Sequence, residues 1–318
     1  MKKWQITLQR YGIVFVLVAM VIFFGCMSKA FFKFDNIINV ARQVSILGII
    51  AVGMTLVMLT GGIDLSVGSI VGLSGVLAAT LMATNGVNVI LSIIITLVVV
   101  TLFGFISGLA ITKLDIPPLI ATLGVMTMAR GVAYIISNGL PIYRIPAMMT
   151  ALGQGYIAYI PIPVVVMILV FVLGIFLLNK TYFGRYFYAI GGNAEATRLS
   201  GINVKRMTLI VYILCSLLSG LAGMILMGRL NSGQPSAGSG LELDVVTAVV
   251  LGGVSVSGGE GKMSGVVVGV IIMGVLANGL LLMNVNDYYQ MVIKGAVLIL
   301  AVGFDKIAKR NAGEEMKA

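Results

Sequence analysis

Long apolar runs recur along nearly the whole of this chain of 318 residues, and they limit its possible folds more than any other feature. An α-helix of about 20 apolar residues is long enough to cross the hydrocarbon layer of a membrane. Only 10% of the residues are charged, and the mean hydropathy is +1.09. This composition excludes a soluble domain. The sequence therefore predicts an all-α polytopic membrane protein that forms a single transmembrane domain over residues 1–318.

The apolar runs predict about ten transmembrane helices. The polar interruptions between them are short, apart from a proline-rich loop at 138–163 and a polar loop at 180–206. The eighth run is short for a complete crossing. The predicted spans cover residues 11–28, 37–60, 69–83, 88–111, 119–137, 164–178, 207–228, 243–256, 265–283 and 288–303.

Basic residues indicate how these spans are oriented. With ten spans, most of the 21 lysines and arginines fall on the side that holds both termini. Lys2, Lys3, Lys180, Lys205 and Arg206 are among them. Loops with an excess of basic residues usually face the cytoplasm. We therefore expect cytoplasmic N- and C-termini and a cytoplasmic 180–206 loop.

The composition also excludes several kinds of chemistry. The chain contains no histidine, and Cys26 and Cys215 both lie inside apolar runs, so a metal site or a disulfide framework is not indicated. The net charge of +10 is dispersed between apolar segments, which argues against a nucleic-acid partner.

The segment 258–262 ends like a nucleotide-binding P-loop, but the pattern is incomplete. Val256 stands where the first glycine should be, and Met263 stands where a magnesium-binding hydroxyl should be. We therefore expect no ATP hydrolysis and no bound cofactor in this chain.

A short polar helix is predicted at 195–200, inside the 180–206 loop. Asn193 can cap it, Glu195 lies in the first turn where the helix dipole favours an anion, and Gly201 can end it. Arg198 follows Glu195 by three residues and shares its face. Two interpretations remain open, a docking helix for a soluble partner or an ordinary solvated loop.

Charged residues within or beside the spans are the next candidates for function, because an unpaired charge in the bilayer is unfavourable. Arg130 and Lys294 lie within spans, where they either extend to the interface or close buried pairs. Acids at the span breaks are possible partners, or they cap the helices that follow. The candidate pathway or gating residues are Gly61, Gly62, Asp64, Ser66, Arg130, Glu242, Asp244 and Lys294.

A weak internal repeat links two of the span breaks. Residues 62–67 and 240–245 share the order glycine, aliphatic, acid, leucine, short polar residue, valine. Each copy follows a long span, and those spans run in opposite directions in the predicted topology. This predicts an inverted repeat of residues 36–137 onto 207–305, with spans two to five matching seven to ten. Chance similarity over six residues is the alternative.

Several motifs resemble those of a known family. They are Thr60-Gly61-Gly62-Ile63-Asp64-Leu65-Ser66-Val67-Gly68-Ser69, the segments 184–202 and 234–253, and Tyr288-Tyr289-Gln290. Together they resemble the permease subunits of monosaccharide ABC importers, especially the ribose type. The resemblance implies a helix that couples the permease to an ATPase. Its residues would be Ala194, Glu195, Ala196, Thr197, Arg198, Leu199, Ser200, Gly201 and Ile202.

The resemblance also implies partners and a location. We expect a bacterial cytoplasmic (inner) membrane protein that pairs with a second permease subunit, either a copy of itself or a paralogue. An ABC ATPase subunit would use ATP and Mg, and an extracytoplasmic sugar-binding protein would deliver the sugar. The alternatives are another solute, such as a different sugar, a nucleoside or a branched-chain amino acid, or an ion-coupled transporter that uses Asp64 or Asp244.

Overall fold

The computed structural model describes the backbone of residues 3–315, with the side chains of residues 12–303 and Lys306. This part of the chain is almost entirely helical. Its only sheet is an antiparallel hairpin of two strands with two residues each, β1 (Tyr156–Ile157) and β2 (Ile160–Pro161). The helices are α1 (Lys3–Met27), α2 (Phe34–Leu59), α3 (Val67–Ala79, extended by a π-turn over Thr80–Thr84), α4 (Val89–Lys113), α5 (Pro118–Ser137), α6 (Ala147–Gln154), α7 (Ile162–Lys180), α8 (Tyr182–Gly192), α9 (Ala194–Leu199), α10 (Val204–Leu230), α11 (Leu241–Leu251), α12 (Met263–Leu282) and α13 (Asp287–Glu315).

Seven helices in the described part are long and apolar enough to cross a membrane, namely α2, α3 with its π-turn, α4, α5, α7, α10 and α12. The protein is therefore an all-α, multi-pass membrane protein. The predicted eighth span is α11, whose 11 residues extend only about 16 Å. That length is about half of the hydrocarbon layer, so α11 cannot cross it alone. The terminal residues Met1, Lys2 and 316–318, part of the basis for the predicted orientation, lie outside the described residues.

Local sequence explains most helix ends. Asn88 accepts a hydrogen bond from the Ile90 amide at 2.9 Å and so caps α4. Pro118 begins α5, where its missing amide hydrogen has no consequence. The two polar loops contain more structure than the sequence indicated. The 138–163 loop contains α6 and the hairpin, and the 180–206 loop contains α8 as well as the expected short helix.

The core of the protein is built around α2 and α10. Every residue of α2 from Val44 to Leu59 is buried, and α10 packs against α2, α3, α4 and α6. Glycines permit these close approaches. Gly53 of α2 lies against the Cys215 backbone of α10, and Gly223 of α10 lies against Val71 of α3.

The helices around α2 and α10 form two groups that make similar contacts. Just as α10 packs on α3 and α4, α2 packs on α11 and α12. Within each half, α3 contacts α4 and α5, while α11 contacts α12 and α13. The two central helices run antiparallel, because Arg42 near the start of α2 bonds to Gln154, which bonds to Arg229 near the end of α10. The contacts of α3, α4 and α5 therefore follow the same pattern as those of α11, α12 and α13.

A substitution at Gly223 tests this packing. A methyl group added there would overlap the Val71 carbonyl and the Ser74 hydroxyl. We expect Gly223→Ala to lower the free energy of unfolding by about 1–3 kcal/mol, seen as a lower melting temperature in detergent. Gly124→Ala on α5 is the matched control, because nothing lies within 4 Å of its added Cβ. Equal melting temperatures for both variants would contradict the close contact of α3 and α10.

Candidate functional site

A non-helical segment, residues 231–240, lies along α3 instead of remaining outside the helices. Gly233 packs against Ala79 at the end of α3, and Pro235 lies beside Gly72, two turns closer to its start. The segment therefore runs antiparallel to α3 towards its first turn, where α11 begins. Non-helical backbone is tolerated at membrane depth only where protein covers it or where it lines a cavity. The sequence had suggested an ordinary link here.

Arg130 of α5 holds this segment in place. Its NH1 donates to the Pro235 carbonyl at 2.8 Å and to the Ala237 carbonyl at 3.0 Å. These carbonyls have no helical partner, so the guanidinium satisfies acceptors that would otherwise be unfavourable at this depth. Gly72 leaves room for the contact, since a Cβ there would lie 3.2 Å from the same NH1. Arg130 thus points into the protein and does not extend to the interface.

Glu242 begins α11 opposite the first turn of α3. Its Oε1 accepts a bond from the Gly240 amide at 3.2 Å, as a helix-capping acid would. Its Oε2 is buried and has no hydrogen-bond partner within the described residues. The side chain packs on Gly68, where a Cβ would overlap Oε2. Arg130 is close enough to attract the carboxylate electrostatically.

These elements line a cavity of about 460 Å³, here called the polar cavity, which opens at the protein surface beside the exposed Thr127 and Tyr134. The sequence predicted only two of its polar residues, Arg130 and Glu242. Of the other hydroxyl-bearing residues of its wall, Ser69 and Ser239 lie in the family-like segments 60–69 and 234–253 but were not predicted as site residues, and the two on α5 belong to no motif. These hydroxyl-bearing residues are Ser69 of α3, Thr127 and Tyr134 of α5, and Ser239 of the non-helical segment. The Ser69 hydroxyl is buried and lacks a hydrogen-bond partner within the described residues.

Lys294 of α13 forms an ion pair with Asp244 of α11, with Nζ and Oδ2 2.6 Å apart. The side chains are 26% and 16% exposed, respectively. Of the two interpretations left open for Lys294, the structure supports the pair. The pair lines a second cavity of about 370 Å³. Ser239 lies in the walls of both cavities.

Asp64 and Ser66 stabilise the break between α2 and α3. Asp64 is fully buried, and its Oδ1 accepts bonds from the Ser66 amide at 2.9 Å and the Ser66 hydroxyl at 2.6 Å. Thr122 of α5 donates to the Ile63 carbonyl at 3.3 Å. Asp64 therefore forms a turn before α3 and makes no bond to an amide of the helix itself. Neither Asp64 nor Ser66 lines the polar cavity.

Gly61 and Gly62, two of the predicted site residues, lie in the same break between α2 and α3. Gly61 has a φ of +83°, a conformation that L residues with side chains rarely adopt. Gly62 packs against the Tyr212 hydroxyl, which leaves no room for a side chain. Nearby, the Gly259 amide donates to the Leu59 carbonyl at the end of α2 at 3.0 Å. Gly191, two residues before the cap of α9, lies against that same carbonyl.

The short helix α9 is present and nearly all exposed. Asn193 caps it by accepting a bond from the Ala196 amide at 2.9 Å, and Gly201 follows its end with a φ of +85°. The helix ends at Leu199, so Ser200, Gly201 and Ile202 of the predicted segment form the turn after it. Thr197 is its only buried residue, while Leu199 is 75% exposed.

Glu195 and Arg198 bond to each other on the surface of α9. Arg198 Nε donates to Glu195 Oε2 at 3.0 Å, and a second bond joins Arg198 NH2 to Oε1. The bonds from Arg198 lower the pKa of the Glu195 carboxyl, so the pair stays charged at neutral pH. Both side chains are exposed. The two charges are thus held as one unit that a partner can contact.

Comparison with known proteins identifies the class. Residues 36–302 match the family described as "Branched-chain amino acid transport system / permease component", so the chain belongs to that family. It is 46% identical to the ribose import permease protein RbsC of Bacillus subtilis over 301 residues, which is 94% of this chain and 93% of that protein. RbsC of Escherichia coli K12 is 42% identical over 308 residues, covering 96% of this chain and 95% of that protein. The xylose permease XylH of E. coli K12 is 34% identical, over 97% of this chain and 94% of that protein. No solved structure matches the chain.

The Lys294–Asp244 pair predicts a specific mutant phenotype. Lys294→Met leaves Asp244 as a largely buried charge without its partner, which we expect to lower the free energy of unfolding by about 1–3 kcal/mol. The melting temperature of the purified protein measures this effect. Lys294→Met combined with Asp244→Asn removes both charges and should recover much of the lost stability. A double variant no more stable than Lys294→Met would show that the pair is not what holds α13 to α11.

Proposed function

We propose that this chain is the membrane-spanning permease of a bacterial ABC importer that carries ribose into the cytoplasm. The observation that carries this proposal is the 46% and 42% identity to two ribose import permeases, over more than nine tenths of each chain. The chain would provide the pathway, while partner ATPase subunits hydrolyse ATP with Mg. The lower identity to the xylose permease favours ribose over xylose.

The site is consistent with a neutral, hydroxyl-rich substrate. A sugar needs hydrogen-bonding groups within the membrane and no fixed countercharge. Arg130 and Lys294 are already bonded, to two carbonyls and to Asp244. The serine, threonine and tyrosine hydroxyls beside them can bond to a sugar without a charge on the ligand.

The ion-coupled alternative needs Asp64 or Asp244 to bind the coupling ion. Asp244 is paired with Lys294. Asp64 accepts two bonds from Ser66 through Oδ1, while its buried Oδ2 has no hydrogen-bond partner within the described residues. The similarity to ribose import permeases over nearly the whole chain therefore favours transport driven by a partner ATPase.

For the topology, we propose ten crossings with both termini in the cytoplasm. The eighth crossing would combine the non-helical segment 231–240 with α11, since the segment runs along α3 and α11 supplies the remaining length. The matched, antiparallel packing of α2–α5 and α10–α13 supports an inverted repeat. The repeats would extend over about 36–137 and 207–305, as the sequence predicts.

For coupling, we propose that residues 194–202 dock into the ATPase subunit. The support is the exposure of α9 on nearly all sides, its exposed Leu199, and its fixed pair Glu195–Arg198. A rigid, capped helix can transmit the motion of a bound partner without bending. On the opposite side, the 138–163 loop would face the sugar-binding protein. The second permease subunit would be a copy of this chain or a paralogue.

Co-purification and transport test the proposed function. The tagged chain, extracted from its native membrane, should bring down an ATPase subunit. In proteoliposomes the recovered complex should take up labelled ribose only when ATP is inside and the binding protein is outside. The same assay with valine and xylose controls for the substrate. Uptake that follows an ion gradient without ATP, or valine uptake without ribose uptake, would contradict the proposal.

The coupling helix can be tested without disturbing its fold. We expect Leu199→Ala to lower sugar-stimulated ATP hydrolysis and uptake by about tenfold, because it removes an apolar anchor of the interface. Its melting temperature should not change, since the side chain packs on nothing. The swap Glu195→Arg with Arg198→Glu keeps an ion pair on α9 but reverses its direction. Normal coupling in both variants would exclude α9 as the docking helix.

A further inference from the structure

The wall of the polar cavity beside α3 contains two buried polar atoms that form no hydrogen bond within the described residues. Ser69 is 1% exposed, and its hydroxyl has no hydrogen-bond partner within the described residues. Glu242 Oε2 is also buried and without such a partner. Buried polar atoms are nearly always bonded, because leaving them unbonded is unfavourable. These two atoms lie in the wall of one cavity, where a bound ligand can form hydrogen bonds to both.

The two charged residues of the cavity, Arg130 and Glu242, limit the kind of ligand that can bind there. Arg130 uses NH1 for the carbonyls of Pro235 and Ala237, so its other nitrogens have no bond within the described chain. A ligand with only a negative charge would be repelled by Glu242, and one with only a positive charge would be repelled by Arg130. A zwitterionic amino acid can pair with both residues, and the valine control below separates that case. The carboxylate can only accept hydrogen bonds and the guanidinium can only donate them. A hydroxyl group can do both, so a neutral molecule with neighbouring hydroxyls satisfies both residues.

We propose that this cavity is a sugar-binding site within the permease, in which Glu242, Arg130 and Ser69 bind hydroxyl groups of the transported monosaccharide. This inference rests on the proposed function and names the residues that recognise the substrate. The volume of about 460 Å³ lies in the range of small-molecule sites, about 300–1,000 Å³. Thr127 and Tyr134 add a hydroxyl and an aromatic ring to the wall. An aromatic ring can pack against the apolar face of a sugar.

The position of the site suits transport. Segment 231–240 ends there and α11 begins there, so the cavity lies at the junction of a discontinuous span. Transporters commonly bind their substrates at such junctions near the middle of the membrane. The first turn of α3, which also follows a broken span, forms the opposite wall through Gly68 and Ser69. Breaks from both halves of the chain therefore meet at the proposed site.

Ser69→Ala gives the sharpest test. If Ser69 is only structural, removing an unbonded buried hydroxyl should leave the protein equally or more stable and fully active. If it binds sugar, ribose uptake by the reconstituted complex should fall about threefold or more, with the melting temperature unchanged. Ser107→Ala is the matched control, because the Ser107 hydroxyl is also buried without a partner but lies outside this cavity. Equal ribose uptake by the two variants would overturn the proposal.

Glu242→Gln provides a second test that preserves size and packing. A lost bond to a charged acceptor should reduce ribose uptake by about tenfold or more. Ribose uptake by the unaltered complex distinguishes a failure of the proposed function from a failure of the site assignment. If it does not carry ribose, the proposed function fails. If it carries ribose and Glu242→Gln carries it equally well, the site assignment fails.

Protection from a thiol reagent measures binding directly. Thr127→Cys, combined with Cys26→Ser, places a single accessible cysteine in the wall of the cavity, because Cys215 is buried. In the permease–ATPase complex, ribose at millimolar concentration should slow the labelling of this cysteine, while valine should not. Labelling at the same rate with and without ribose would overturn the proposal even if a transport variant failed to fold.

Discussion

Satisfying the polar backbone where water is absent is the constraint on which this structure depends. A helix does so alone, but segment 231–240 is not helical and lies beside α3 within the helical bundle. Arg130 supplies the donors that two of its carbonyls need, and glycines on α3 let the segment approach closely. This arrangement permits a discontinuous span, and with it a helix start and the polar cavity beside α3. Arg130 therefore has a structural task first, and its place in the cavity follows from that task.

Backbone contacts also connect the exposed helix α9 to the interior of the protein. Gly191, just before α9, lies against the carbonyl of Leu59 at the end of α2, and that carbonyl accepts a bond from Gly259. The chain then turns at Gly61 and passes through the buried Asp64 to α3, whose first turn lines the cavity. A displacement of α9 by a partner would thus act on the end of α2 and on the turn at Gly258 and Gly259 together. Glycine contacts at this junction leave few side chains that could absorb the motion.

Apolar run length and capping residues were sufficient to predict most of the long helices and α9, because these signals are local. The sequence placed α9 within one residue and gave Asn193 and Gly201 their correct positions. It did not indicate the path of residues 231–240, since a Gly/Ser-rich link has the same composition inside or outside a bundle. Ser69, Thr127 and Tyr134 were missed for a related reason: a hydroxyl on a helix becomes informative only when its neighbours are known. The Lys294–Asp244 pair was one of two predicted interpretations, and only long-range packing could choose between them.

The distribution of paired and unpaired polar groups fits a pathway better than a storage site. Lys294 is bonded to Asp244, and Glu242, whose Oε2 has no bond, lines the same cavity as Arg130. The buried Asp64 is held by hydrogen bonds from Ser66, without an ion pair among the described residues. An isolated charge in the bilayer would be unfavourable by several kcal/mol. An unbonded buried hydroxyl costs less, about 1–3 kcal/mol, and an unbonded carboxylate oxygen costs more than a neutral group. A sugar that binds in the polar cavity gains a few hydrogen bonds of this modest size. Such binding is strong enough to select a hydroxylated molecule and weak enough for a change in helix packing to release it.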